Sequence, residues 1–314
     1  MTKKLISVVI PAYNEEDCVH ELARRLRLVF DIEDDYLWEA LFVENGSSDG
    51  SWSMLQQIHR EDNRFKVVRL ARNFRMDGGL TAGLHFVSGD ACVLMTADLQ
   101  DPPEMIPLFL RKWEQGVDNV YAEISKRRGT GFLRAVSSTG FYWLANKMTA
   151  GTITNGASDF RLIDKRVYEV VKTMDERNRF LRGLVGWVGF ESAGIPMERP
   201  ERFAGDSKAD TGKVLTLAIN GILAHSTVPL RAISFAGLLI SAVATGAFLV
   251  NGILWISQGV PFNGFGTLFS LLILLIGLVS VMLGVLSEYV GLVYDEVKRR
   301  PNFVVSDTLG DLHE

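Results

Sequence analysis

The chain is poor in the residues that several function classes need. It has two cysteines, Cys18 and Cys92, with no metal-ligand spacing, so neither a disulfide framework nor a zinc knuckle is expected. They fit buried thiols in a reducing compartment. The formal net charge is −4 and the isoelectric point about 5.8, which leaves no basic footprint for nucleic acid. No Walker-type phosphate loop occurs, and no Gly-x-Gly-x-x-Gly follows the first strand, which argues against a P-loop ATPase and a dinucleotide dehydrogenase. The N-terminal apolar run stops at Pro11 and is too short for a secretory leader.

The longest absence is of charge. No Asp, Glu, Lys or Arg lies between Arg231 and Glu288. Two apolar runs fill that span, Ile233–Ile256 and Thr267–Glu288, each longer than the ~20 residues that cross a bilayer. The polar split between them, from Ser257 to Gly264, is too short to hold a domain, so a transmembrane hairpin is expected. Arg231 precedes the first run, and Lys298, Arg299 and Arg300 follow the second. The positive-inside bias places these flanks, and the N-terminal domain with them, in the cytoplasm.

What precedes the hairpin alternates strand and helix. Strands are predicted at Leu5–Ile10, Glu39–Val43, Phe65–Leu70 and Ala91–Met95, with helices at Asp17–Phe30, Ser51–His59 and Leu80–Val87. This predicts a mostly parallel sheet with helices on both faces. Three strand ends carry polar or glycine-rich turns, at Pro11–Glu16, Glu44–Gly50 and Thr96–Asp101. Ligands gather at the carboxyl ends of such strands. Asp98 and Gln100 are two apart, so in extended chain they point the same way. A carboxylate and an amide oxygen suit a hard cation that keeps water and substrate phosphate as its other ligands.

Further on, Val117–Ala122 reads as another strand and Phe160–Ile163 as a short one starting beside Asp159. Lys126, Arg127, Arg128 and Arg134 adjoin an aromatic-rich helical stretch, Phe132–Met148, suited to a headgroup surface. Arg199, Arg202, Gly205, Ser207 and Lys208 form a basic loop before an amphipathic helix, Val214–Leu223, and could receive an anionic group carried by a lipid.

Val8–Glu15, the Glu44–Gly50 turn and Ala97-Asp98-Leu99-Gln100-Asp101-Pro102-Pro103-Glu104 resemble the family 2 glycosyltransferases. The nearest likeness is to polyisoprenyl-phosphate glycosyltransferases of the GtrB type, similar to dolichol-phosphate mannose synthase. Asp159-Phe160-Arg161, Phe180-Leu181-Arg182-Gly183, Arg199–Lys208, the hairpin and the tail to Pro301 extend the resemblance over nearly the whole chain.

The resemblance implies an α/β fold, a GT-A Rossmann-like domain at 1–210. It further implies an interfacial amphipathic helix at 211–229, two transmembrane helices within 230–290 and a cytoplasmic juxtamembrane tail at 291–314. Pro11, Tyr13 and Glu15 would line the base and ribose, with Glu44 and Ser48 nearby. Asp98 and Gln100 would hold Mg2+ or Mn2+ on the donor diphosphate, and Asp159 would stand at the acceptor phosphate or sugar. Arg127, Arg202, Ser207 and Lys208 would bind phosphate. Asp98 and Asp159 are the expected catalytic pair. The implied reaction moves glucose from UDP-glucose to undecaprenyl phosphate, with inversion, at the cytoplasmic face of the inner (plasma) membrane, in a multi-pass tetramer. A GDP-mannose-dependent mannosyltransferase is the alternative, as is a nucleotide-sugar-binding subunit with impaired catalysis.

Two departures stand out. Thr96 occupies a place where the family usually has Asp, which removes one carboxylate from the metal side. Glu44-Asn45 replaces the usual Asp-Asp at the second turn.

Overall fold

The structure, a computed structural model, describes residues 3–124, 156–177, 179–200, scattered positions from 230 to 257, and 265–312. The chain divides into two compact units, Met1–Ala209 with Arg300–Glu314, and Asp210–Arg299.

The first unit is built on an eight-stranded sheet. Its strands are β1 (Leu5–Ala12), β2 (Leu37–Glu44), β3 (Phe65–Leu70), β4 (Ala91–Leu94), β5 (Asn119–Ile124), β6 (Ala157–Asp164), β7 (Ser192–Met197) and β8 (Val305–Leu309). Their order across the sheet is β7-β5-β6-β4-β1-β2-β3-β8. Around them lie α1 (Val19–Ile32), α2 (Ser51–Glu61), α3 (Arg75–Phe86), α4 (Ile106–Glu114), α5 (Lys165–Thr173) and α6 (Leu181–Trp187).

Strand β1 shows why both faces are covered. Ile6, Val8 and Ile10 enter one core layer, with Leu22, Leu26 and Phe30 of α1 and Phe109 of α4. Val9 enters the other, with Leu80 and Leu84 of α3, Tyr168 of α5 and Leu184 of α6. Period-two alternation into two apolar layers gives the unbroken hydrophobic run of a doubly covered strand. Gly83 lets α3 lie close on β1, since a Cβ there would stand 2.2 Å from Val9 Cγ1.

The sheet is more mixed than the sequence pattern predicts. β3, β2, β1 and β4 are parallel neighbours, and β5 is parallel to β7. β6 runs antiparallel to both β4 and β5, and β8 antiparallel to β3. β6 starts at the edge where β5 ends, so it must run back. β8 comes from the stretch that the sequence reading places in a juxtamembrane tail; it is a short, polar edge strand, and it covers the edge of β3.

In the second unit, α7 (Phe265–Lys298) is a single helix of 34 residues. Its segment Leu274–Lys298 has a mean hydropathy of 1.9 and is long and apolar enough to cross a membrane. Ser280 and Ser287 donate to the carbonyls of Ile276 and Leu283 at 2.9 Å, so their hydroxyls need no outside partner. The first apolar run, Ile233–Ile256, falls largely outside the described residues, so a two-helix hairpin is not shown.

Candidate active site

The order in which strands are laid into the sheet reverses between β1 and β4. Successive strands β1, β2 and β3 step one way, and β4 returns to the other side of β1. The carboxyl ends at such a switch point leave a crevice. Pro11–Glu16 and Thr96–Asp101 flank it. Three residues at this edge adopt left-handed backbone without being glycine: Asn14 (φ 54°), Arg75 (φ 65°) and Leu99 (φ 59°). Such strain persists only where surrounding contacts enforce it, and it gathers at functional loops.

Hydrogen bonds lace the first two loops together. Asn14 N–H donates to Ser47 Oγ at 3.0 Å, and Ser48 N–H donates back to Asn14 Oδ1 at 2.9 Å. Glu15 N–H donates to Ser51 Oγ at 3.0 Å, and Gly50 N–H to Glu16 Oε2 at 2.7 Å. Asn45 ties in the loop between β3 and α3, donating to Arg75 O at 2.8 Å and accepting from Phe74 N–H at 2.9 Å. Gly46 (φ 72°) faces that loop so closely that a Cβ would stand 2.6 Å from the Arg72 carbonyl carbon.

Within this frame Tyr13 is an exposed ring and Ser48 is exposed. Pro11 is buried against α3, where a Cβ on Gly79 would lie 2.9 Å from its own Cβ. Glu44 is fully buried; it accepts the Ser47 amide and pairs with Arg69 at 3.0 Å. Its place is to hold the turn that carries Ser48. Glu15 and Asp98 both face the Cys18 thiol, which burial, reinforced by these acids, pushes up to about 12. That thiol stays protonated and is no nucleophile.

On the β4 side, Thr96 Oγ1 stands 2.6 Å from Asp98 Oδ1 and 2.7 Å from Asp101 Oδ2. Thr96 N–H also donates to Asp101 Oδ2 at 2.9 Å, and Gln100 N–H to Asp98 Oδ1 at 3.3 Å. Burial raises the Asp101 carboxyl above the ordinary range, against the pull of its Thr96 hydrogen bonds. Arg199 lies 3.7 Å from Asp101 Oδ1, and Gln100 Nε2 reaches Pro200 O at 3.4 Å.

The register brings in Asp159. β6 runs antiparallel to β4 with Arg161 opposite Leu94, the last residue of β4, so Asp159, two residues before Arg161, lies past the carboxyl end of β4. Arg182 of α6 grips the Asp159 carboxylate with two bonds, Nε at 3.0 Å and Nη2 at 2.6 Å. Burial would raise the Asp159 carboxyl, but the Arg182 fork, with Arg161 and Arg199 near, holds it below the usual range. Arg161 is itself buried; burial lowers it to about 10, and it donates to Ser158 O at 2.7 Å.

Comparison with known proteins decides what this crevice belongs to. The model of glycosyl transferase family 2 matches residues 7–172, from β1 into α5. The chain is a family 2 glycosyltransferase. An uncharacterized glycosyltransferase of Bacillus subtilis, YkcC, is 38% identical over 97% of this glycosyltransferase and 94% of its own length. The SfII prophage-derived bactoprenol glucosyl transferase of Shigella flexneri is 35% identical over 96% of this chain and 97% of its own. Among solved structures, glucosyl-3-phosphoglycerate synthase from Mycobacterium tuberculosis, in complex with Mn2+, UDP and glucosyl-3-phosphoglycerate, superposes with a TM-score of 0.51. At 17% identity, covering 72% of this chain and 81% of that one, it supports the GT-A fold alone.

The glycosyltransferase thus brings Asp98, Gln100 and Asp159 of the expected set to one edge. Arg127, Arg202, Ser207 and Lys208 lie outside the described residues. Sequence reasoning assigned no role to Asn45, Asp77, Asp101 or Arg182, and placed Arg199 in a lipid-anion loop rather than beside Asp101. Asn45, Asp101 and Arg182 stood in quoted motifs. Asp77 carried no signal, because it precedes the predicted helix Leu80–Val87 and a lone acid there reads as solvated loop.

Among the described residues no group of three His, Cys, Asp or Glu side chains could hold a metal ion by itself. Asp98 and Gln100 offer hard oxygen donors beside a strained turn, which fits a cation whose remaining ligands come from substrate and water.

Proposed function

We propose that this glycosyltransferase moves glucose from UDP-glucose to undecaprenyl phosphate at the cytoplasmic face of the membrane. The observation that carries this is the 35% identity to a bactoprenol glucosyl transferase along almost the whole of both chains, apolar region included.

The chemistry suits the residues. A polyprenyl phosphate oxygen is anionic near neutral pH, so it needs little help from a base. It attacks the anomeric carbon, the carbon–oxygen bond to the diphosphate breaks, and UDP leaves with inversion. Asp98 and Gln100 would hold Mg2+ or Mn2+, which when bound supplies positive charge to the departing diphosphate. Asp159, kept ionised by Arg182, stands on the acceptor side and cannot donate a proton there. Tyr13, Glu15 and the laced Ser47–Ser48 turn present the nucleoside end. Arg127, Arg202, Ser207 and Lys208 would receive acceptor phosphate. Aligning two substrates, one of them in the bilayer, is the larger part of the task.

The membrane reading has a topological support. The chain leaves the first unit after Ala209 and is back in its sheet at β8. A segment whose two ends join one domain crosses a bilayer an even number of times. If α7 crosses once, a second crossing must lie between 210 and 264, and the charge-free run Ile233–Ile256 supplies it. Lys298, Arg299 and Arg300 then lie on the domain's side, as the positive-inside bias requires.

Membranes holding the protein, given undecaprenyl phosphate and labelled UDP-glucose, UDP-galactose, UDP-N-acetylglucosamine or GDP-mannose in turn, should pass label to the lipid extract from UDP-glucose. Transfer from GDP-mannose alone would replace the donor. No lipid-linked label from any of them, with UDP-sugar still bound, would favour a binding subunit.

A further inference from the structure

The motif Phe180-Leu181-Arg182-Gly183 has a local logic that the reaction scheme leaves unused. α6 spans only Leu181–Trp187, two turns, so its first amides need partners from elsewhere. Asp77, in the first turn of α3, accepts the Leu181 N–H on Oδ1 at 3.0 Å across a separation of 104 residues. Leu181 itself is 2% exposed, so its amide needs a partner from the protein. Gly183 leaves room for the Phe180 ring, since a Cβ there would stand 2.7 Å from Phe180 Cδ1. Upstream, Arg179 donates to Met174 O at 2.7 Å and Val171 O at 2.8 Å, closing the end of α5. The next residue after Leu181 is Arg182, whose fork grips Asp159.

We propose that Asp77 is a positioning residue for glycosyl transfer: by capping Leu181 it fixes Arg182 where its guanidinium clamps the Asp159 carboxylate. The proposal rests on the reading of Asp159 as an acceptor-side residue. Here the cap is an acid, half-buried, which burial and the nearby Asp159 push above the ordinary carboxylate range against the pull of Arg182 and Arg179. The charges that face Asp159 come from four elements: Asp77 of α3, Arg161 of β6, Arg182 of α6 and Arg199 after β7. One acid and three bases around one carboxylate make its setting depend on where the Arg182 fork points.

The test uses the full-length enzyme in detergent or membranes, with labelled donor, undecaprenyl phosphate and saturating Mg2+ or Mn2+. Asp77→Ala should lower kcat on the order of tenfold or more and leave the donor KM unchanged. It should also move the acid limb of the kcat–pH profile upward, because an unclamped Asp159 takes its proton at higher pH. Asp77→Asn keeps the acceptor and should restore both rate and profile. Arg182→Lys keeps the charge but loses the fork, and should reproduce the defect even if Asp77→Ala fails to fold. Wild-type rate and profile in Asp77→Ala or Arg182→Lys, with Asp159→Asn inactive, overturns the proposal and leaves the site reading standing. A lowered rate with an unmoved profile reduces Asp77 to a structural cap and overturns it too. An active Asp159→Asn would instead overturn the site reading itself.

Discussion

Thr96 has one hydroxyl proton and two carboxylate oxygens within 2.7 Å. It binds Asp101 to the loop and shares Asp98 with whatever the crevice takes up. Removing the hydroxyl in Thr96→Val should cost about 1–3 kcal/mol, the penalty for a buried group losing its partner, read as a lower unfolding midpoint. Asp98→Ala should cut transfer by about a hundredfold or more while that midpoint barely moves, since Asp98 is only half-buried. Asp159 makes a pH-dependent contribution whose sign is clear. Its folded carboxyl lies below the ordinary value, so the ion pair stabilises above about pH 4 and is lost as pH falls through the lowered value. The melting-temperature gap between wild type and Asp159→Asn should therefore narrow as pH is taken from neutral into the acid range. A gap that stays constant would deny the ion pair that role.

At the level of elements, the strands of the first half were legible because apolar runs and turn residues punctuate them. The expected Phe65–Leu70 strand appears with those ends, and β1, β2 and β4 differ by a residue or two. α3 was not legible at its start. It begins at Arg75, not Leu80, because Gly78 and Gly79 read as a break. Both glycines are helical and serve close approach, Gly79 against Pro11. Gly83 serves the same end one turn on. Gly83→Ala drives a methyl into Val9, and should cost about 1–3 kcal/mol by overpacking, measured by chemical or thermal unfolding. β8 escaped the sequence pattern for another reason: it is five residues long and polar on its exposed positions. A chain stopped after Arg299 would bare the edge of β3, and should run as aggregate on gel filtration where the full chain does not.

For the whole molecule, the charge-free stretch and the basic cluster after it were plain in composition, because a bilayer sorts residues by transfer energy alone. A tag on the C-terminus should be reachable only from the side that holds the catalytic domain, tested by protease on sealed vesicles of known orientation. Protection of the tag while the domain is digested would break the even-crossing topology. Composition and strand-end motifs by themselves determined the alternating α/β fold, the crevice loops and the apolar region, since each rests on local periodicity or a short contiguous pattern. Only the tertiary structure decided that β6 runs against β4 to bring Asp159 to the carboxyl end of β4, that Arg182 clamps it, and that Asp77 reaches across 104 residues to Leu181. Those contacts depend on sheet register and helix packing, which no stretch of sequence encodes alone.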